Sequence, residues 1–376
     1  LFDYVMNHVD KNSGLYKAHP GWFARKDGEI ATCGGQNLWN DPYWSKRCAF
    51  TKYLPPFDFS QKAPRDWSVN DAMWWAKEFD IDGYRLDAIK HVPTKWLTQL
   101  RSRLNSEIQS DERFYLVGET FAYDNRPQIG KYVNPKTMLD GQFDFPFKAR
   151  LCEALFRPGG RLDSFSSWLR DNQGYYGQGA IMTTWIGNHD IPRAIHFASG
   201  QIQNCRAGSS PQNGWNPSSY RQPTQAAPYE RLGLAFAVMM TTNAGIPLIY
   251  YGDEVGLAGG GDPDNRRMMP WDDSELNAHQ KELRSTVRTL AKMRAEHPVL
   301  ARGQRRTLSA GQDTWMWEMS GCGEEPIVVA VNRADSPNSV QIPSGSYTNL
   351  RDQSSTTGGM TSIPARDFVV LQKAGN

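Results

Sequence analysis

The sequence predicts an α/β fold built on a parallel sheet, which is either an open doubly wound sheet or a (β/α)8 barrel. Apolar segments that end in polar residues alternate with segments whose apolar residues recur at helical spacing. Asp87 and Glu119 end two successive predicted strands and lie 32 positions apart, close to the ~30 residues of one βαβ unit. A barrel places its chemistry at the carboxyl ends of its strands, where polar residues cluster in this sequence.

Six apolar segments are predicted as strands of this sheet. In chain order they are 2–8, 82–91, 114–120, 141–147, 182–190 and 245–254. Helical spacing predicts helices over 67–80, 93–108 and about 276–296. Residues 232–252 form the longest apolar region, but Thr, Asn, Gly and Pro interrupt it, so we expect a helix, a turn and a strand and no membrane span.

Changes in composition predict three domains. Residues 9–57 are rich in Trp, Gly, Asn and Pro and are too long for a simple connection, so they predict a small inserted domain. Short alternating strands with turn residues between them predict a C-terminal β-sandwich domain over 298–376. Residues 1–8 and 58–297 then form the α/β domain.

The composition favours a neutral partner. The 376 residues carry a formal net charge of +2, which favours neither nucleic acid nor an anionic membrane surface. The chain has 13 Trp, 15 Tyr and 16 Phe, and the apolar faces of sugars stack on such rings. Most of these rings are expected in the core.

Cys33 and Cys48 flank a loop rich in Gly, Asn and Trp. They are either a disulfide of an exported protein or two separate reduced thiols. No C-x-x-C pattern indicates zinc. If the disulfide forms, a secreted or periplasmic location is expected.

Arg85 and Asp87 lie in an apolar stretch that is typical of a buried strand. Burying an ionised carboxylate is costly unless the group is paired, so this stretch predicts either a core ion pair or a catalytic carboxylate. Asp87, Glu119 and Asp190 each end a predicted strand. Retaining glycoside hydrolysis needs two carboxyl groups about 5–5.5 Å apart, one ionised and the other protonated. Arg85 points to the same strand face as Asp87 and would favour its ionised form.

Four short motifs in this order resemble those of the α-amylase superfamily. They are "DYVMNH", "GYRLDAIKH", "GET" and "NHD", which match the third, fourth, fifth and seventh strands of that family's barrel. The resemblance implies a (β/α)8 TIM barrel whose first two strands are absent from this chain. The chain is then either a fragment or an incomplete domain, and we prefer the fragment interpretation.

The resemblance also implies roles for individual residues. Asp87 is expected as the nucleophile, Glu119 as the acid/base and Asp190 as the stabiliser of the transition state. Contacts with the substrate around the cleaved bond are expected from His8, Arg85, Lys90, His91 and His189. Alternatively, His8 and His189 only form hydrogen bonds within the protein at the ends of strands, and Lys90 and His91 only begin a solvated helix.

The family's calcium site is expected at Asn7 and at the backbone carbonyl of His91. Its aspartate ligand belongs to a motif of the inserted domain, which reads "LPPFD" here with Pro56 at the aspartate position. Proline offers no side-chain ligand, and calcium prefers six to eight oxygens. No organic cofactor is expected.

The resemblance implies an enzyme that hydrolyses α-1,4-glucosidic bonds of starch and maltooligosaccharides with retention. "GDPDNRRMMPW" (261–271) is similar to cyclomaltodextrinases and neopullulanases, whereas Lys90 and His91 are similar to those of true α-amylases. A cyclomaltodextrinase, a neopullulanase or a glucanotransferase is therefore the alternative enzyme. The alternative from another class is an inactive family member that serves as a binding subunit. The oligomeric state and the product length are not predicted.

Overall fold

A computed structural model describes residues 1–108, 113–208 and 214–375. The chain divides into two compact units. The first comprises Leu1–Phe145 and Gly174–Thr183, and the second comprises Pro146–Gln173 and Thr184–Asn376. These two units do not test the domain boundaries predicted near residues 8, 57 and 297, which stay predictions.

Four parallel strands form the sheet of the first unit. They are β1 (Phe2–Tyr4), β2 (Gly83–Leu86), β3 (Tyr115–Gly118) and β4 (Gly141–Gln142), in the order β1-β2-β3-β4. Each neighbouring pair is parallel. The four predicted strands are thus confirmed, but each is shorter than its apolar segment because the segments run on into the polar loops.

The helices of the first unit are α1 (Gly14–Ala18), α2 (Lys62–Glu78), α3 (Thr94–Glu107) and α4 (Arg126–Gly130). In α3, Leu97, Leu100 and Leu104 recur at helical spacing and are all buried. They share a core cluster with Tyr84 of β2 and Leu116 of β3. This packing holds α3 against β2 and β3 through apolar side chains. The polar residues lie at the carboxyl ends of these strands.

The inserted segment over 9–57 contains two short 3-10 helices, Pro20–Trp22 and Trp44–Lys46. Of the two alternatives for Cys33 and Cys48, the structure shows the disulfide. Both sulfurs are fully buried, in a small cluster of their own. The disulfide thus lies in a cluster separate from the main core, which Phe23 and Phe57 of the same segment join.

The second unit holds most of the remaining helices. In chain order the helices are α5 (Phe145–Phe156), α6 (Leu162–Asn172), α7 (Ala194–Ala198), α8 (Ala227–Thr241), α9 (Ala278–Glu296) and α10 (Pro298–Arg302). Two short strands, β5 (Thr183–Thr184) and β6 (Ile246–Pro247), hydrogen-bond to each other. The helix, turn and strand expected over 232–252 are confirmed as α8 and β6. Within the described residues, every helix is too short or too polar to cross a bilayer.

The C-terminal strands form one antiparallel sheet. They are β7 (Gln304–Ala310), β8 (Thr314–Gly321), β9 (Glu324–Asn332), β10 (Asn338–Asn349), β11 (Ser355–Ile363) and β12 (Asp367–Lys373), in the order β11-β10-β12-β9-β8-β7. The predicted all-β domain is confirmed, but its strands belong to a single hydrogen-bonded sheet and not to two separately paired ones. An alternating pattern predicts strands with one buried face, and it does not say how the strands pair.

A second disulfide, between Cys152 of α5 and Cys205, was missed by the sequence analysis. Its cysteines lie 53 positions apart, and no local pattern joins them. Cys322 is an exposed free thiol.

Candidate active site

Arg85 is the centre of a cluster of carboxylates in the first unit. Its Nη1 lies 2.9 Å from Asp87 Oδ1 and 2.8 Å from Asp3 Oδ1. Its Nη2 forms an ion pair with Glu119 Oε2. Asp87 and Glu119 thus contact the same guanidinium, each through a different nitrogen.

Backbone hydrogen bonds fix the two strand ends. The Asp87 amide donates to the carbonyl of Tyr4 (3.2 Å), and the Glu119 amide donates to the carbonyl of Leu86 (3.1 Å). Directly after Asp87, Ala88 has a φ of 47°, in the left-handed region. A residue with a Cβ pays roughly 1–2 kcal/mol for this conformation. The chain therefore turns sharply at the candidate nucleophile, and the surrounding hydrogen bonds hold that turn.

Electrostatics keeps Arg85 charged. Burial by itself would lower the pKa of Arg85, but the negative charges of Glu119 and Asp87 raise it above the ordinary arginine value. Glu119 is only 6% exposed, so solvent screens its charge weakly. The guanidinium is thus a permanent positive charge beside both carboxylates.

His8 follows β1 and lies beside this cluster. Burial lowers the pKa of His8, and the charge of Asp87 opposes that shift only in part. Its Nδ1 donates to Asn7 Oδ1 (3.3 Å), and its ring lies edge-on to Phe50. A neutral imidazole held in this way can exchange hydrogen bonds with a sugar hydroxyl.

Lys90 and His91 lie in a 3-10 helix, Ile89–His91, directly after the candidate nucleophile. Burial lowers the pKa of Lys90, whose Nζ lies 6.0 Å from the centre of the Trp39 ring. His91 is 3% exposed, and its ring makes T-shaped contacts with the rings of Trp39 and Phe50. The structure therefore surrounds His91 with protein, and its contact with substrate stays a prediction.

The residues expected to bind calcium contact other protein groups instead. Asn7 Nδ2 donates to the carbonyl oxygen of His91 (3.2 Å), and Asn7 Oδ1 accepts from His8. The carbonyl of Pro56, at the expected aspartate position, accepts from the Ala24 amide (2.9 Å). Calcium prefers six to eight oxygens, several of them from carboxylates. These hydrogen bonds occupy the Asn7 side chain and the carbonyls of His91 and Pro56, and calcium at Asn7 and His91 stays a prediction.

One other group in the described part of the chain brings three metal-ligating side chains together. Cys33, Cys48 and His91 lie within reach of a shared ion. The two sulfurs are already joined as a disulfide, so the group offers no thiolate.

In the second unit, Asp190 and His189 follow β5. Asp190 Oδ2 lies 3.4 Å from His189 Nε2, and Asp190 Oδ1 lies 3.8 Å from Arg266 Nη2. The side-chain amide of Asn265 donates to the carbonyls of His189 and Ile191, both at 2.8 Å. The segment 261–271 thus holds the loop that carries Asp190.

A buried carboxyl group lies under the same loop. A Cβ at Gly187 would come within 2.0 Å of Asp253 Oδ2, so only glycine fits there. Burial raises the pKa of Asp253 to about 7, against the opposing charge of Arg193. Arg193 Nη1 lies 3.6 Å from Asp253 Oδ1.

Sequence reasoning identified Arg85, Asp87 and Glu119 correctly as neighbours but missed Asp3 and Arg266. Asp3 lies opposite Arg85 in the register of β1 and β2, and only the pairing of these two strands brings the residues together. Arg266 lies in the stretch 261–271, whose sequence indicated a subfamily and no site residue.

Comparison with known proteins gives the family. The model of the α-amylase catalytic domain matches residues 1–211. Cyclomaltodextrin glucanotransferase of Geobacillus stearothermophilus is 27% identical over 287 residues, 75% of this chain and 35% of that protein. Cyclomaltodextrinase of Geobacillus thermopakistaniensis is 25% identical over 359 residues, 91% of this chain and 52% of that protein. The chain thus spans about a third to a half of these curated relatives.

The fold agrees with a solved structure. The Anoxybacillus α-amylase superposes with a TM-score of 0.78 at 25% identity, over 100% of this chain and 76% of that chain. Parallel strands that end in a carboxylate cluster, followed by an antiparallel sheet, define a TIM-barrel protein with a C-terminal β domain. The chain belongs to the α-amylase family.

Proposed function

We propose that the protein hydrolyses α-1,4-glucosidic bonds in starch and maltooligosaccharides with retention of configuration. The observation that carries this proposal is the single guanidinium of Arg85 that contacts both Asp87 and Glu119. It holds two carboxylates together at the carboxyl ends of adjacent parallel strands. A retaining mechanism needs such a pair at about 5–5.5 Å.

The two carboxylates have different tasks in this mechanism, and Glu119 acts first as the acid and then as the base. Protonated Glu119 donates its proton to the glycosidic oxygen as the bond from that oxygen to C1 breaks, and an Asp87 oxygen bonds to C1. Glu119 then takes a proton from water, whose oxygen attacks C1 and releases Asp87. Two inversions at C1 give net retention. Asp190 would stabilise the positive charge that develops on the sugar ring.

A cyclomaltodextrinase, neopullulanase or glucanotransferase activity is the second candidate. Its support is the 25% identity to a cyclomaltodextrinase over 91% of this chain. The two activities share both carboxylates and differ in the substrate admitted and in whether water or a sugar attacks C1. Chromatography of the products from soluble starch, pullulan and cyclodextrin separates them.

We place the protein outside the cytoplasm, in a secreted or periplasmic location. Two disulfides support this proposal, because such bonds persist in oxidising compartments. Alkylation of protein isolated from its native compartment should leave all four of these cysteines unmodified. Their recovery as alkylated thiols would contradict the location.

Substitution of the two carboxylates tests the function. Asp87→Asn should remove nearly all hydrolysis of starch while the variant still binds oligosaccharide. Glu119→Gln should lower starch hydrolysis by a similar factor but affect an activated aryl glycoside less, because that leaving group needs little protonation. Retained hydrolysis in Asp87→Asn would show that Asp87 is not the nucleophile. If the parent protein binds oligosaccharide but hydrolyses none of these substrates, the alternative of a binding subunit is supported.

A further inference from the structure

A groove in the second unit lies between helix α9 and the C-terminal sheet, and none of its lining residues is one placed in the active site. Two adjoining cavities of about 220 Å³ and 240 Å³ form it. Both are lined by Glu282 and Thr286 of α9 and by Arg351 and Phe368 of the C-terminal domain. Together they reach the size range of sites that bind small ligands, roughly 300–1,000 Å³. We call these cavities the C-terminal groove.

Arg351 is held as a flat, pre-oriented donor in this groove. Its guanidinium carbon lies 4.3 Å from the centre of the Phe368 ring. Its Nη1 donates to Asp367 Oδ1 (2.6 Å) and to the carbonyl of Phe368 (2.7 Å). Among the described residues, no acceptor is recorded for its Nε and Nη2. The protein therefore fixes the guanidinium and leaves one of its edges for another partner.

The opposite wall is a polar stripe along one face of α9. Glu282, Thr286 and Thr289 lie on one helix face by their spacing, and Ser285 lies beside them. No hydrogen bond or ion pair is recorded for these four side chains within the part of the chain that the structure describes. Leu290 and Met293, both buried, lie beneath the stripe. Donors, acceptors and apolar surface thus face one space.

The charges of the groove do not favour an anion. Its walls carry Arg351 and Arg366 together with Glu230, Glu282 and Asp367. Arg366 pairs with Glu230, and Arg351 pairs with Asp367, which leaves the carboxylate of Glu282. A ligand that both donates and accepts hydrogen bonds and carries no charge matches this set. Neighbouring hydroxyls of a sugar ring meet that requirement.

We propose that the C-terminal groove is a second carbohydrate-binding site, which holds a neutral oligosaccharide chain with residues other than those of the active site. That the chain is an α-glucan rests on the proposed function. The site gives a polymeric substrate a second point of attachment, so the polymer binds more tightly than either site alone would allow. A short substrate that fills only the active site gains nothing from it.

Gel retardation by amylopectin tests this proposal in an Asp87→Asn background, where the polymer stays intact. Adding Arg351→Ala should weaken the apparent affinity for amylopectin about tenfold, the loss expected for a charged hydrogen bond. Thr286→Phe, which fills the shared wall without removing Arg351, should have the same effect in a folded protein. Arg288→Ala removes an exposed charge from the same helix outside the groove and is the matched control, which should bind normally.

Kinetics on the parent protein separates this proposal from the proposed function. With Asp87 intact, Arg351→Ala and Thr286→Phe should raise KM for soluble starch and leave kcat/KM for maltotriose unchanged. If both variants are retarded by amylopectin as the parent is, the groove does not bind the polymer, whatever the protein hydrolyses. If the parent hydrolyses neither substrate, the proposed function is wrong, while the retardation result still decides the groove.

Discussion

At the scale of single residues, Arg85 determines what the two carboxylates can do. Without a cation between them, Asp87 and Glu119 would be two like charges in a space where solvent screens them weakly. The contact of Asp3 with the same guanidinium adds a third negative charge and holds Arg85 from the strand on its other side. The site is therefore a cluster of three carboxylates that share one cation, and more than a pair of acids.

Replacing Arg85 by Met should shift the acid limb of the kcat/KM profile to higher pH by about one unit or more. The shift is upward because two carboxylates without their shared cation favour the protonated form, and a protonated nucleophile is inactive. The profile is measured with maltotriose between pH 3 and 9. Arg85→Lys keeps the charge and serves as the control, with a smaller shift. An unmoved limb in Arg85→Met would show that the cation does not control the nucleophile.

At the scale of elements, the 3-10 helix Ile89–His91 joins the active-site strand β2 to the inserted segment. His91 makes three contacts there. Its backbone carbonyl accepts a hydrogen bond from the Asn7 side chain, its Nδ1 donates one to the carbonyl of Ser45, and its ring packs against Phe50. Burial lowers the pKa of His91 to about 4, so the imidazole is neutral at pH 7.

The buried imidazole predicts a pH-dependent stability. Its pKa is below the value of about 6.5 in an unfolded chain, so its stabilising contribution is fully present above pH 6.5. That contribution is lost as the pH falls towards 4, and it amounts to about 3 kcal/mol. His91→Asn keeps a donor for Ser45 but cannot be protonated, so its unfolding free energy should fall less between pH 6.5 and 4. The exposed His19→Asn should keep the full slope of the parent protein.

The inserted segment should depend on its disulfide and not on calcium. Replacing Cys33 and Cys48 together by Ser should lower the unfolding free energy by about 3 kcal/mol, because the bond restricts a loop of 15 residues in the unfolded chain. Cys322→Ser, at an exposed free thiol, is the control and should change nothing. A metal chelator should leave the melting temperature unchanged. A clear loss of stability with chelator would show that a metal binds despite the contact between Asn7 and His91.

At the scale of the whole molecule, much of the fold could be predicted because its patterns are local. Apolar runs that end in Asp87 and Glu119 predict parallel strands, and the leucines of α3 predict a helix with one buried face. The pairing of Cys152 with Cys205 and the contact of Asp3 with Arg85 could not be predicted, because both join residues that only the fold brings together. The left-handed turn at Ala88 was missed for another reason, since alanine rarely adopts that conformation.

The candidate site also combines features that local sequence patterns predict with contacts that only the fold creates. Residue type and strand position suggested Asp87, Glu119 and Asp190 as candidates, and their catalytic roles stay a prediction. The hydrogen bond between Asn7 and the carbonyl of His91 depends on how two loops meet. Pro56 was the one sequence signal that the calcium site departs from the family pattern. The single antiparallel sheet of the C-terminal domain also depends on strand pairing, which alternation of apolar residues does not determine.

The most direct test of the central claim is to trap the glycosyl-enzyme. A fluorinated maltosyl fluoride forms the covalent intermediate and slows its hydrolysis, and Glu119→Gln slows that second step further, because water then lacks its general base. Peptide mass spectrometry after digestion should find the sugar on Asp87, and NMR of the unmodified reaction should find the α-anomer as the first product. A sugar bound to another residue, or release of the β-anomer, would contradict the mechanism.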